Sequence, residues 1–268
     1  MEAFQLFTGR HEELDLSTLS LKPSFASAGQ AIFTSPAGRC NTCHFNAGAN
    51  VAFGGGGNFN FNTGVETFPR RAAEVDPFAG SRPDQGFGTA PSPTVEGGFG
   101  DGTFNVPPLV EAADTGPFFH NNIVDTIEEA VAFYSSDSFN NSPTGAVFGR
   151  ISMTTEEQHQ VAAFLRVINA LENIRSSRES LLFIRANQGS ERRQENRDLF
   201  KMILADIKDA RRDLKAPDGN LSPAAEYDLD TASGLVFLGK IWPPGALRTL
   251  AIDLAVAWLD HARGELKN

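Results

Sequence analysis

Between Asn46 and Pro117 the chain places 14 glycines in 72 residues, among them Gly54-Gly55-Gly56-Gly57 ahead of Asn58-Phe59-Asn60-Phe61-Asn62, and Gly97-Gly98-Phe99-Gly100-Asp101-Gly102. Glycine and proline break helices, and Asn and Asp favour turns, so no long helix fits here. A loop of this length is uncommon inside a compact domain. Phenylalanine offers the remedy, since Phe53, Phe59, Phe61, Phe68, Phe78, Phe87, Phe99 and Phe104 punctuate the stretch. Each ring can pin the loop onto an apolar surface, either a Phe-rich core or a large flat ligand. The bias is chain-wide: 22 Phe against 2 Tyr and 2 Trp.

From Thr154 onward the pattern changes to helix. Thr154 with Glu157 forms a capping box, and Val161, Phe164, Leu165, Ile168, Leu171 and Ile174 keep helical spacing behind it. A second helix is expected from about Ser190 to Lys215, stopped by Ala216-Pro217-Asp218-Gly219. Ser222-Pro223, an N-cap followed by proline at the first helical position, opens a third that runs to about Ile241. Pro243-Pro244-Gly245 ends it, and a fourth runs from Ala246 to about Arg263, with Leu247, Leu250, Leu254 and Trp258 expected as its packed face. Short connections between such helices favour an antiparallel bundle, with Trp242 and Trp258 in its core. No catalytic constellation falls in this half. His261 reads as a helix-end cation, and His11 and His159 as structural.

Charge follows the same border. Residues 1–160 carry 7 Lys+Arg against 18 Asp+Glu, a net −11, and residues 161–268 carry 16 against 15, a net +1. The overall net charge of −10 opposes phosphate binding, so no nucleic-acid partner is expected. With 41% hydrophobic and 21% charged residues the chain is neither disordered nor a membrane protein, and no run approaches the ~18 apolar residues of a span.

The two cysteines of the chain stand in Cys40-Asn41-Thr42-Cys43-His44. At this spacing two thiols add across the vinyl groups of a haem, and the adjacent imidazole is held beneath the iron as proximal ligand. A thioredoxin-like site wants a βαβ setting, which is missing, and a zinc site wants further cysteine or histidine ligands at matching spacing. A structural disulfide across so short a loop would constrain almost nothing. One covalent haem c, attached through Cys40 and Cys43 with His44 on iron, is the expectation. Such attachment implies export, in the periplasm or outside the cell. The start Met1-Glu2-Ala3 has neither a positive segment nor an apolar core, so a leader is expected to have been removed or truncated. The Phe-rich loop thereby gains its flat ligand.

Gly29-Gln30-Ala31-Ile32-Phe33 leading into the cysteine motif resembles the haem entry of c-type cytochrome domains. Asn62-Thr63-Gly64-Val65, Phe104-Asn105-Val106-Pro107-Pro108-Leu109, Gly116-Pro117-Phe118-Phe119-His120-Asn121-Asn122, Thr126 to Tyr134, and Met153-Thr154-Thr155-Glu156-Glu157 follow in order. Together they resemble the C-terminal haem domain of the bacterial di-haem cytochrome c peroxidases and their MauG-like relatives, over roughly residues 24–171. The resemblance implies a c-type cytochrome domain with long Gly/Phe-rich loops (24–172), and with the helical spacing of the second half the expectation is a mostly α fold: an N-terminal arm (1–23), that domain, and a C-terminal antiparallel helical bundle (173–268) that the family pattern lacks. It also implies that Phe61, Pro107 and Leu109 line the haem. The family carries two haem motifs, with peroxide reduced at the N-terminal haem. This chain carries one motif, matching the electron-transferring haem.

Three residues compete for the distal iron position. His120 lies where the family's histidine is not usually a ligand. Met153 lies where the family has an apolar core residue. Tyr134 closes the helix at which the peroxidases present Met and MauG-like members Tyr, and it is the preferred candidate. The simplest function is electron transfer, to a redox partner with a basic docking face suited to the acidic first half. The alternative is a haem subunit or fragment of a peroxidase-like oxidoreductase whose second haem is on another domain or chain. A sensing or scaffold role for the bundle is the third class. The basic clusters Arg192-Arg193 and Arg211-Arg212 read as a solvated helix face.

Overall fold

A computed structural model describes residues 14–48, 60–69, 86 and 100–268. Phe53, Phe59, Phe78, Phe87, Phe99 and His11 lie outside the described residues. The architecture is mostly α. The chain divides into two compact units, Met1–Ser17 with Ala28–Ala162, and Thr18–Ser27 with Ala163–Asn268.

In chain order the elements are α1 (Ser24–Thr34), α2 (Cys40–Cys43), a 3₁₀ turn at Phe45–Gly48, β1 (Asn60–Phe61), a 3₁₀ turn at Val65–Thr67, and β2 (Phe104–Asn105). A 3₁₀ turn at Ala112–Asp114, α3 (Ile127–Phe133), α4 (Asp137–Asn140), α5 (Pro143–Phe148) and α6 (Thr155–Ala186) follow. In the first unit α1 and α6 cross at Gly29, where a Cβ would stand 1.8 Å from the Gln160 carbonyl oxygen. Only glycine permits that approach. Phe33, Phe133 and Val161 are buried in the same unit. β1 and β2 pair antiparallel, Phe61 opposite Phe104. The short helices start on side-chain caps. Thr126 and Glu129 form a reciprocal capping box on α3, Ser136 accepts from Phe139 N–H, and Ser142 accepts from Gly145 N–H.

The second unit is built from the remainder of α6 with α7 (Arg193–Asp213), a small hairpin of β3 (Lys215–Ala216) and β4 (Gly219–Asn220), α8 (Pro223–Ile241) and α9 (Ala246–Leu266). The expected Thr154–Glu157 box is formed, with N–H to carboxylate and N–H to hydroxyl distances of 2.7 and 3.2 Å. Ser222 caps α8 with Pro223 behind it. α6 runs well past Ile174, because Leu181 and Ile184 stay on the buried side and Arg175 ties Glu172 to Glu179 across the polar run. Among the described residues no helix is long and apolar enough to cross a membrane.

The expected packed face of α9 is corrected. Leu247, Leu250 and Leu254 are exposed, and the buried positions are Ala251, Ile252, Ala255, Leu259, Ala262 and Leu266. Alanines let α9 sit close against α8, and the larger leucines on the neighbouring stripe are thereby turned outward. The buried Arg248 guanidinium lies over the Phe200 ring at 5.7 Å and donates to the Trp242 carbonyl at 2.9 Å. Trp242 and Trp258 are half-buried rather than core.

Candidate functional site

The four residues of α2 are a single helical turn that holds both cysteines on one short stretch. Arg39 enters it in the left-handed region (φ 55°) and anchors the entry by donating to the Pro36 carbonyl at 2.8 Å and to the Phe148 carbonyl. His44 ends it, its N–H returning to the Cys40 carbonyl at 2.8 Å. Two left-handed residues follow, Asn46 (φ 50°) and Ala47 (φ 55°), and turn the chain sharply. Asn tolerates that conformation, whereas for Ala it is strained. Asn46 is buried and fully used. Its Nδ2 donates to the Leu14 carbonyl, its Oδ1 accepts from Leu16 N–H, both at 2.7 Å, and its own N–H donates to Asn41 Oδ1 at 2.8 Å. Ala47 then accepts from Leu109 N–H at 2.8 Å, which lays the 107–109 segment alongside the motif.

That placement fixes His44. Its Nδ1 lies 3.1 Å from the Pro107 carbonyl. A carbonyl only accepts, so Nδ1 carries the proton and the Nε2 lone pair is left available to a metal. Burial pushes the His44 pKa down to about 4, against the Pro107 bond, so the ring is neutral at pH 7. The thiols are shifted the other way: burial raises Cys40 to about 12 and raises Cys43 as well. Both cysteines are free. Redox-active C-x-x-C pairs depend on a lowered thiol pKa, and this pair has the reverse.

Tyr134 caps the C-terminus of α3. Its phenol is pushed well above the usual value, first by burial and then by Cys40 and Cys43, so it shares an electrostatic environment with both thiols. Aromatic rings surround it. Phe139 stands edge-on at 5.1 Å and Phe133 at 5.3 Å, and Phe133 in turn meets Phe68 at 5.2 Å and Phe119 at 4.8 Å.

The other sequence candidates are placed as follows. His120 is held by Glu66 at 2.6 Å and stacked on Phe104 at 3.6 Å, and Asn121 donates to the same carboxylate at 3.0 Å. Met153 is buried, its N–H donating to Ser135 Oγ at 3.1 Å. Phe61 meets Phe148 edge-on at 5.6 Å. Leu109 is half-buried, and the Pro107 ring is exposed while its carbonyl serves His44. Sequence reading missed Arg39, Asn46 and Glu66. For Asn46 a signal existed, an Asn two residues before Gly48 and two residues after the motif, where a left-handed turn is cheapest.

Among the described residues no three His, Cys, Asp or Glu side chains converge as a metal cage. The donor set instead suits a metal that arrives with ligands of its own: two half-buried protonated thiols, one oriented neutral imidazole, a half-buried phenol and a cluster of aromatic rings.

A curated relative agrees in kind. The cytochrome-c peroxidase IdrP2 of Pseudomonas sp. (strain SCT) is 32% identical over 68 residues, which is 25% of this chain and 17% of that protein. The chain is therefore distantly related to a cytochrome c peroxidase, over a span that covers less than a fifth of the relative. No family model matches, and no solved structure matches.

Proposed function

We propose that this chain is a c-type cytochrome with one covalent haem, working in electron transfer outside the cytoplasm. The observation that carries the reading is the Pro107 carbonyl on His44 Nδ1, which leaves Nε2 as the donor immediately after two paired thiols. Cys40 and Cys43 would hold the haem as thioethers, each thiol S–H adding across a vinyl group so that no oxidant is needed. When bound, the group supplies a one-electron ferric/ferrous couple. The chain's residues set its surroundings. His44 presents a neutral ring whose basicity the Pro107 bond raises. Tyr134 is the residue whose phenol oxygen would serve as a second donor to the group, Phe61 and Leu109 would line it, and Phe133 and Phe139, ranged against the Tyr134 ring, would help to exclude water.

The test is haem staining after denaturing electrophoresis, with the pyridine haemochrome for stoichiometry. One covalent haem per chain is expected, and Cys40→Ala with Cys43→Ala abolishes it. Haem removed from the unaltered protein by acid–acetone overturns the reading.

The similarity to a cytochrome-c peroxidase favours one second reading, a haem subunit of a peroxidase-type oxidoreductase whose other haem is elsewhere. Spectra of both oxidation states with and without peroxide separate the two. An electron-transfer centre with both axial positions filled is unchanged by peroxide, and a peroxidase-type centre is not.

A further inference from the structure

The two helices that close the second unit carry an apolar strip that their own packing leaves in water. Tyr227, Phe237 and Ile241 on α8 and Leu247, Leu250 and Leu254 on α9 are each between 43% and 67% exposed. On α9 the three leucines recur at steps of three and four residues and form one row, and on α8 Phe237 and Ile241 are one turn apart with Tyr227 on the same outward-facing side. Tyr227 on α8 reaches Trp258 on α9 edge-on at 6.2 Å, and Ile241 and Leu247 flank the short turn between the two helices. Six large side chains about half bare amount to roughly 600 Å² of apolar surface, the upper end of what a monomer tolerates as its largest patch.

Charge selects the kind of partner. Four carboxylates of the two helices are neutralised within the unit: Asp230 by Arg211 at 2.6 Å, Glu226 by Lys215 at 2.7 Å, Asp260 by Arg178 at 2.7 Å, and Asp253 by Arg185. Residues 161–268 carry a net +1, against −11 for residues 1–160. A strongly charged partner gains nothing from such a surface, whereas an identical strip meets it without repulsion. Two strips face to face remove about 1,200 Å² from water before any rim is counted, which reaches the range of stable interfaces.

We propose that the α8–α9 hairpin is a homodimer interface, in which the strip of one chain packs on the same strip of a second copy about a two-fold axis. The inference is independent of the haem assignment. It is tested by sedimentation equilibrium of the purified 268-residue chain from about 1 to 100 μM, with the double variant Leu250→Glu/Leu254→Glu beside it. The expected particle has twice the 28.9 kDa chain mass. The variant is expected to associate at least ~100-fold more weakly with unchanged circular dichroism, because two buried leucines would become two buried charges. Should that variant misfold, Tyr227→Lys serves as the second probe, at a helix position that contributes little to the unit's own core. Wild-type chain that stays monomeric at 100 μM overturns the proposal, whether or not a different protein covers the strip. So does a dimer that survives both substitutions.

Discussion

At the scale of single residues, His44 presents a lone pair, Asn46 holds the turn that aims it, and Tyr134 sits among aromatic rings as the proposed second donor. Asn46→Ala removes the acceptor for Leu16 N–H and the donor to the Leu14 carbonyl in a buried setting, and it leaves a non-glycine residue at φ 50°. A loss of roughly 2–4 kcal/mol in denaturant unfolding is expected. Asn46→Gly should recover about 1 kcal/mol of it by relieving the left-handed strain alone. Equal losses for the two variants would show that conformation plays no part. Tyr134→Phe removes only an oxygen. With Tyr134 as the distal donor, the ferric spectrum should shift to five-coordinate or water-bound iron and the potential should rise, since a hard anionic oxygen favours the ferric state. A spectrum and potential equal to wild type would exclude Tyr134 and make Met153→Leu the next variant. The motif was legible because attachment needs its residues contiguous. Its orienting partner was not, because that partner is a main-chain oxygen 63 residues away and leaves no residue-type signal.

At the scale of elements, the crossing of α1 and α6 depends on one missing Cβ. Gly29→Ala puts a methyl group against the Gln160 carbonyl, so the helices must separate. A cost of roughly 1–3 kcal/mol is expected in thermal or denaturant unfolding of the first unit. In the bundle, His261 Nδ1 pairs with the buried Asp228 Oδ2 at 2.5 Å, which raises the imidazole pKa through the hydrogen bond and then through charge. Glu265 adds to the rise, and Lys22 opposes it. The protonated ring is favoured in the folded state, so its contribution is complete below the unfolded value of ~6.5 and is lost as pH rises through the raised folded value. Denaturation midpoints should fall over that window in the wild type and flatten in His261→Gln. Helix starts were legible, since Thr154 with Glu157 and Ser222 with Pro223 act locally. The orientation of α9 was not. Periodicity marks Leu247, Leu250 and Leu254 as a stripe, but Ala251, Ala255 and Ala262 beside them win the contact by allowing closer approach.

At the scale of the whole molecule, two compositions remain two units with unequal charge. With electron transfer as the function, the acidic first half would steer a basic redox partner, and the bimolecular rate should drop steeply as ionic strength rises. Stopped-flow reduction by a cationic donor from about 10 to 500 mM salt measures this, and a flat profile would exclude electrostatic docking. The helical second half was evident from spacing and breakers alone, whereas the α character of the first half came from the resemblance of its motifs. The apolar strip on α8 and α9 escaped notice, because exposure is decided by which neighbours the fold supplies and the row reads identically as core.

The carbonyl that orients His44 also bears on how such a centre varies by descent. Every amino acid brings the same oxygen to position 107, so no codon replacement there deletes the acceptor, and the imidazole tautomer is insulated from point substitution at its own partner. What can reassign the partner is a change in register: one residue gained or lost between β2 and Leu109 presents a different carbonyl, or an N–H that would force the opposite tautomer. Heritable differences in this centre should therefore track insertions and deletions in that short segment more closely than replacements within it.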